Sequence, residues 1–74
     1  MKTFTAAIFD EHSVSLYDAV TGDYEGVLYI GAGKVMGTPI VSTESITINH
    51  MDGDGPYISV FSLPDKQFLR KIKL

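Results

Sequence analysis

The sequence predicts an all-β protein built from consecutive hairpins. Three observations carry this expectation. Apolar residues never recur at the 3.6-residue helical period over a dozen positions without a glycine, proline or β-branched interruption. Ile, Val, Phe, Tyr and Thr gather instead into seven short runs. Clusters of Gly, Pro, Asp and Ser separate those runs at short, regular intervals.

The first run, Phe4–Phe9, stops at the turn Asp10-Glu11-His12. Val14–Tyr17 follows, with Val14 and Leu16 alternating against Ser15, and ends before Thr21-Gly22-Asp23. Tyr24–Ile30 runs into Gly31-Ala32-Gly33-Lys34, which reads as a flexible connection. Ile40–Ser42 is a short strand behind Pro39, closed by Thr43-Glu44-Ser45. Ile46–Met51 places Ile46, Ile48 and His50 on one face and Thr47 and Asn49 on the other. Asp52-Gly53-Asp54-Gly55-Pro56 has the residues of a hairpin turn, and Tyr57–Leu63 leads from it to Pro64-Asp65-Lys66. Phe68–Leu74 is the last strand. Leu16 and Val60 are expected at matched positions on the buried face. Phe68 and Ile72 are expected to pack inward, with Lys71 and Lys73 reaching solvent or an acidic neighbour.

Seventy-four residues make one domain, 1–74. The chain has no cysteine, which excludes a disulfide scaffold or a Cys-based zinc site, and only two histidines. A domain this small buries only about 60% of its unfolded surface. With no disulfide or metal to staple it, oligomerisation is the remaining support. Nine acidic residues against six basic ones argue against a nucleic-acid partner. No apolar run approaches the roughly 20 residues that a membrane helix needs, so no membrane partner is expected. Asp10 and Glu11 interrupt any export-type apolar core, which points to a cytoplasmic or virion-associated protein.

The halves align with each other. Residues 14–30 match residues 58–74 at an offset of 44 without a gap, pairing Val14 with Ile58, Leu16 with Val60, Tyr17 with Phe61, Tyr24 with Phe68 and Leu28 with Ile72. Upstream the offset reads as 42, pairing Phe4 with Ile46 and Ala6 with Ile48, with two extra residues assigned to the Gly53–Gly55 turn. Repeat one then covers about 3–30 and repeat two about 35–74. A period of 40–45 residues with several strands per unit is a propeller pattern.

On these residues the chain resembles quinoprotein-type and WD40-type β-propeller blades. Its Asp18-Ala19-Val20-Thr21-Gly22-Asp23 segment is similar to the Asp-x-x-Thr-Gly-x turn between the last two strands of such blades. Residues 37–74 resemble a full blade: a Pro-x-Val inner strand, a second strand, an Asp-Gly turn and an outer hairpin. The first unit has no room for an inner strand, and neither unit carries a tryptophan. The resemblance implies two blade-like antiparallel meanders of three plus four strands. Isolated blades cannot cover their own faces, so the pair is expected to be completed by oligomerisation, a trimer of six blades first.

The motifs that suggest chemistry are incomplete. Gly31–Lys34 lacks the spacing and the following helix of a phosphate loop. Asp52–Gly55 lacks the further ligands of a calcium loop. His12 and His50 adjoin no nucleophile motif, and His50 reads as a semi-buried, satisfied residue. No catalytic residue, metal ligand or cofactor is therefore expected. Asp52, Asp54 and Tyr57 form a candidate ligand face around one turn. Lys66, Arg70, Lys71 and Lys73 place four basic residues in the last nine, against a charge of −7 on the remainder. They are a candidate contact for an acidic protein surface, or a guard against strand pairing at an exposed edge. The expected function is a non-enzymatic structural or interaction protein that self-assembles through its sheets. In size and style it resembles small virion or accessory proteins of tailed bacteriophages. The alternative is an oligomeric, lectin-like module with a glycan partner, in which Tyr17, Tyr24, Tyr29, Tyr57 and Phe61 would stack on sugar rings.

Overall fold

The computed structural model describes residues 3–31 and 33–74. Every regular element in them is a strand: β1 (Phe4–Asp10), β2 (Ser13–Asp18), β3 (Tyr24–Tyr29), β4 (Lys34–Val35), β5 (Ile40–Val41), β6 (Ser45–Asp52), β7 (Gly55–Ser62) and β8 (Phe68–Lys73). They form two antiparallel sheets. The first has the order β1-β2-β3, and the second β4-β6-β7-β8 with β5 also on β6.

One strand departs from the sequence reading. Lys34, taken there as the end of a connection, and Val35, placed in no strand run, pair with Met51 and His50. The Val35 N–H donates to the Glu11 carbonyl at 2.8 Å, and the Met36 N–H to the Asn49 carbonyl at 2.8 Å. These long-range bonds make a strand of two residues that form no apolar run of their own between Gly33 and Gly37. β4 and β5 both lie on the edge of β6 that β7 leaves free, so the expected strand Ile40–Ser42 is there as β5 and shares that edge with β4, with 36–39 between them. Ala32, part of the expected connection, lies outside the described residues.

The core sits between the sheets. Cross-strand partners share a face. The pairs Ala6↔Leu16, Val14↔Leu28 and Phe4↔Asp18 therefore put Phe4, Ala6, Val14, Leu16 and Leu28 on one side of the first sheet. Ile46↔Phe61, Ile48↔Ser59, Val41↔Ile46 and Val35↔His50 do the same for one side of the second. These two faces meet in a single cluster of Phe4, Val14, Leu16, Leu28, Val35, Ile46, Ile48, Phe61 and Leu63.

Val60 is only 8% exposed, yet it lies outside that cluster, on the far side of the second sheet with Ile58 and Thr47. The expectation that Leu16 and Val60 share the buried face is thus corrected. The expected inward packing of Phe68 and Ile72 is corrected too. A bulge opposite Val60/Phe61 pairs Phe68 with Phe61 but Ile72 with Ile58, so the two point to opposite faces. They are 58% and 44% exposed, because β8 is an edge strand beyond the core.

The two outer hairpins share one register. Val14↔Leu28, Leu16↔Gly26 and Tyr17↔Tyr24 reappear, with every number raised by 44, as Ile58↔Ile72, Val60↔Arg70 and Phe61↔Phe68. The bulge falls at the same step, Leu16/Tyr17 and Val60/Phe61. An edge-on ring pair follows it in both, Tyr17–Tyr24 at 5.8 Å and Phe61–Phe68 at 5.6 Å. Both turns need a left-handed residue, Gly22 at φ +81° and Lys66 at φ +59°. For β1 and β6 the constant shift is 41, not the expected 42: Phe4↔Asp18 corresponds to Ser45↔Ser62, and Ala6↔Leu16 to Thr47↔Val60. The hairpin β6–β7 is thus longer by three residues rather than two.

The error has a physical cause. Matching Phe4 to Ile46 assumes that the two sheets bury the same face. They bury opposite ones. Leu16 and Val14 face the core, whereas Val60 and Ile58, the residues 44 positions on, face away from it. The sheets pack front to back.

Candidate functional site

The β6–β7 hairpin gathers the candidate ligand residues. Asp52↔Gly55 closes the turn, with Gly53 and Asp54 at its tip. The Tyr57 hydroxyl donates to Asp54 Oδ2 at 2.7 Å. The register Tyr57↔Lys73 and Ser59↔Lys71 lays both lysines on the same face, above these carboxylates. Lys71 Nζ donates to Asp52 Oδ2, and Lys73 Nζ lies 3.4 Å from Asp54 Oδ2. Lys71 Nζ also sits 4.3 Å from the centre of the Tyr57 ring, within cation–π range. The candidate ligand face and half of the candidate basic cluster are therefore one network, in which each lysine meets a carboxylate of its own sheet.

The network sets the charge states. The Lys71 ammonium, helped by His50, holds the Asp52 carboxyl below the usual carboxylate range against partial desolvation. The Tyr57 hydroxyl, then the Lys73 charge, lower Asp54 in the same direction. In return the Asp54 carboxylate and partial burial raise the Tyr57 phenol.

Beneath this surface lies a chain that the sequence reading missed. His50 Nδ1 is 2.9 Å from Asp52 Oδ1, and His50 Nε2 is 2.7 Å from Ser59 Oγ. A carboxylate only accepts, so Nδ1 carries a proton, and in neutral His50 Nε2 accepts the Ser59 hydroxyl proton. Carboxylate, imidazole and hydroxyl stand in the order of an acyl-transfer relay. Access is what differs. His50 is 1% and Ser59 3% exposed, so a substrate carbonyl has no route to Ser59 Oγ in this structure. The arrangement works as a buried polar bridge with every group paired, which tethers β6 to β7 and to the Asp52 turn. Tyr57 stacks on His50, with ring centres 6.0 Å apart, and covers one end. Gly33 covers another: a methyl there would overlap the Asp52 carboxylate and come within 3.0 Å of His50 Nδ1. The signal was present in the sequence. A two-residue turn at Gly53-Asp54 puts Ile48 opposite Ser59 and His50 opposite Tyr57, which makes His50 and Ser59 diagonal neighbours.

The other candidates are dispersed. Lys66 Nζ donates to the Glu25 carbonyl of the first sheet at 3.0 Å. Arg70 pairs with Val60 and so belongs to the opposite face from Lys71 and Lys73. Four residues adjacent in sequence thus serve three separate places, because alternation and the bulge divide them. Asp10 accepts the His12 N–H and the Ser13 hydroxyl, both at 2.8 Å, and these bonds lower its carboxyl. His12 Nδ1 donates to the Gly33 carbonyl at 2.6 Å and ties the first sheet's turn to β4. Among the described residues, no group of three or more His, Cys, Asp and Glu is placed to hold a metal ion. Of the rings, Phe61 is in the core, Tyr57 is engaged by His50 and Lys71, and Tyr17, Tyr24 and Tyr29 share the outward side of the first sheet. Comparison with protein-family models, with curated proteins and with solved structures finds no match to the chain.

Proposed function

We propose that the chain is a non-enzymatic structural or interaction module: two propeller-type repeats that self-associate through their sheet faces. The observation that carries the reading is the front-to-back packing. Each sheet covers one face with the other sheet, and among the described residues no further sheet stacks on its second face, where Tyr24, Tyr29, Ile40 and Ile72 are exposed. Support for the repeat comes from the constant shift of 44, the bulge at the same step and the two equivalent ring pairs. Units that pack front to back close only when the last meets the first, and two cannot do so within one chain. Three copies would supply six sheets, and this trimer is the first expectation. A glycan-binding reading draws mainly on Tyr24 and Tyr29, since Tyr57 and Phe61 are already engaged.

Light scattering during size exclusion tests the proposal. The expected particle is a multiple of 8.1 kDa, three chains first. A single-chain mass at micromolar protein would overturn it and leave a two-sheet monomer.

A further inference from the structure

The two outward faces are unlike. On the first sheet Ser13, Ser15, Tyr17, Val27 and Tyr29 share the outer side. On the second the outer side carries Ile40, Thr47, Ile58, Val60, Arg70 and Ile72. The shift of 44 relates each outer face to a buried one. Tyr17 and Ser15 correspond to Phe61 and Ser59 of the second sheet's inner face, and Ile58, Val60 and Ile72 to Val14, Leu16 and Leu28 of the first sheet's inner face. Within these faces Ser13, Ser15 and Val60 are buried, while Tyr24, Tyr29, Ile40 and Ile72 are exposed, so the surface they offer is a second, looser version of the chain's own intersheet contact.

Resting on the self-association proposed above, we infer that the outer face of the second sheet docks on the outer face of the first sheet of another copy. The occupant is thus a second copy of this chain, bound head to tail. The Ile58, Val60, Ile72 stripe of one copy meets Tyr17, Val27 and Tyr29 of the next. The new contact is more polar than the inner one, since Thr47 and Arg70 stand where the inner contact has Ala6 and Gly26, which suits an interface between soluble partners.

A second observation points to the same occupant. Inside the chain the Lys66 arm crosses Gly26, its Cε 3.5 Å from where a Gly26 Cβ would stand, and its Nζ reaches the Glu25 carbonyl. Moving this contact by one repeat turns Lys66 into Gly22 and Gly26 into Arg70. The long basic side chain and the glycine exchange sheets, and their sum is preserved. Gly22 has open space where its side chain would be, and Arg70 is exposed on the outer face. Arg70 of one copy then crosses Gly22 of the next. Two long chains would collide there, and two glycines would leave a gap. Unlike faces generate a heterologous interface, which closes into a ring or propagates. Two-fold pairing of like faces does neither.

Complementation of blocked faces tests this. Tyr24→Glu blocks only the first sheet's face and Ile72→Glu only the second's; both positions are exposed, so the chains should fold. Each variant alone should self-associate at least tenfold more weakly than the parent. Mixed one to one, they keep one intact face each and should form a particle of two chains and no more. If the parent is oligomeric but the mixture stays monomeric, or if either variant alone associates like the parent, the head-to-tail contact is wrong while self-association stands. A monomeric parent would remove both. Circular dichroism checks the fold of each variant, and Tyr29→Glu with Ile40→Glu is the replacement pair if either unfolds.

Discussion

Leu16 and Val60 stand 44 residues apart in one shared register and meet opposite environments, so truncating each to alanine interrogates the packing directly. Leu16 is fully enclosed between the sheets with Ile46, Ile48 and Phe61. Leu16→Ala leaves a void that two braced sheets cannot collapse into, at a cost of about 2–5 kcal/mol. Val60 lies on the outer face. Val60→Ala there removes two carbons of a side chain that is 8% exposed but has no second sheet stacked on it, so the transfer cost of about 1–2 kcal/mol remains for a single chain. A chain this short has little stability to lose, so both effects are readable by urea unfolding. The decisive variable is protein concentration. If the outer face docks on another copy, the cost of Val60→Ala should rise with concentration, because lost association adds to lost packing. The cost of Leu16→Ala should change little. A cost of Val60→Ala that does not change with concentration would refute the docking of this face on another copy.

The polar bridge, the charge network and the close approach at Gly33 give three more tests. Ser59→Ala should cost about 1–3 kcal/mol by leaving buried His50 Nε2 unpaired, and His50→Phe should cost a similar amount by stranding Ser59 Oγ. The double variant should cost less than the sum, since no buried group is then orphaned, and a strictly additive double-mutant cycle would show that the two do not interact. Asp10, Asp52 and Asp54 have carboxyls lowered from 3.8 in the folded chain, so the stability they contribute is complete above that value and is lost as pH falls through the lower folded values. Tyr57 is raised from 10.0, so its contribution is complete below that value and is lost at more alkaline pH. Lys71→Met should be less stable than the parent at pH 7, with the gap narrowing below about pH 4, where protonated Asp52 offers no charge to hold; a gap constant down to pH 2 would discount the ion pair. Gly33→Ala should cost about 1–3 kcal/mol by overpacking against Asp52 and His50, and an unchanged thermal midpoint would place Gly33 away from that turn.

The fold class was legible in the residues because it rests on local physics. β-branched and aromatic runs between Gly, Pro and Asp turns predict strands wherever tertiary packing does not intervene, and all seven expected runs, from Phe4–Phe9 to Phe68–Leu74, are strands. The matching registers of the β2–β3 and β7–β8 hairpins also rest on local signals, since a hairpin's register follows from its turn and its alternation. Three things were decided only in three dimensions. Lys34–Val35 is a strand because β6 and Glu11 supply its partners, not because of its own residues. Lys71 and Lys73 join Asp52 and Asp54 while Arg70 and Lys66 go elsewhere, because the bulge at Val60/Phe61 sets which side each faces. The choice of buried face is the third. Alternation marks two faces on each strand, and both sheets carry apolar residues on both, so Val14 and Leu16 against Ile58 and Val60 look alike in sequence. Only the stacking of one sheet on the other, front to back, put the first pair in the intersheet core and left the second on the far side of its sheet.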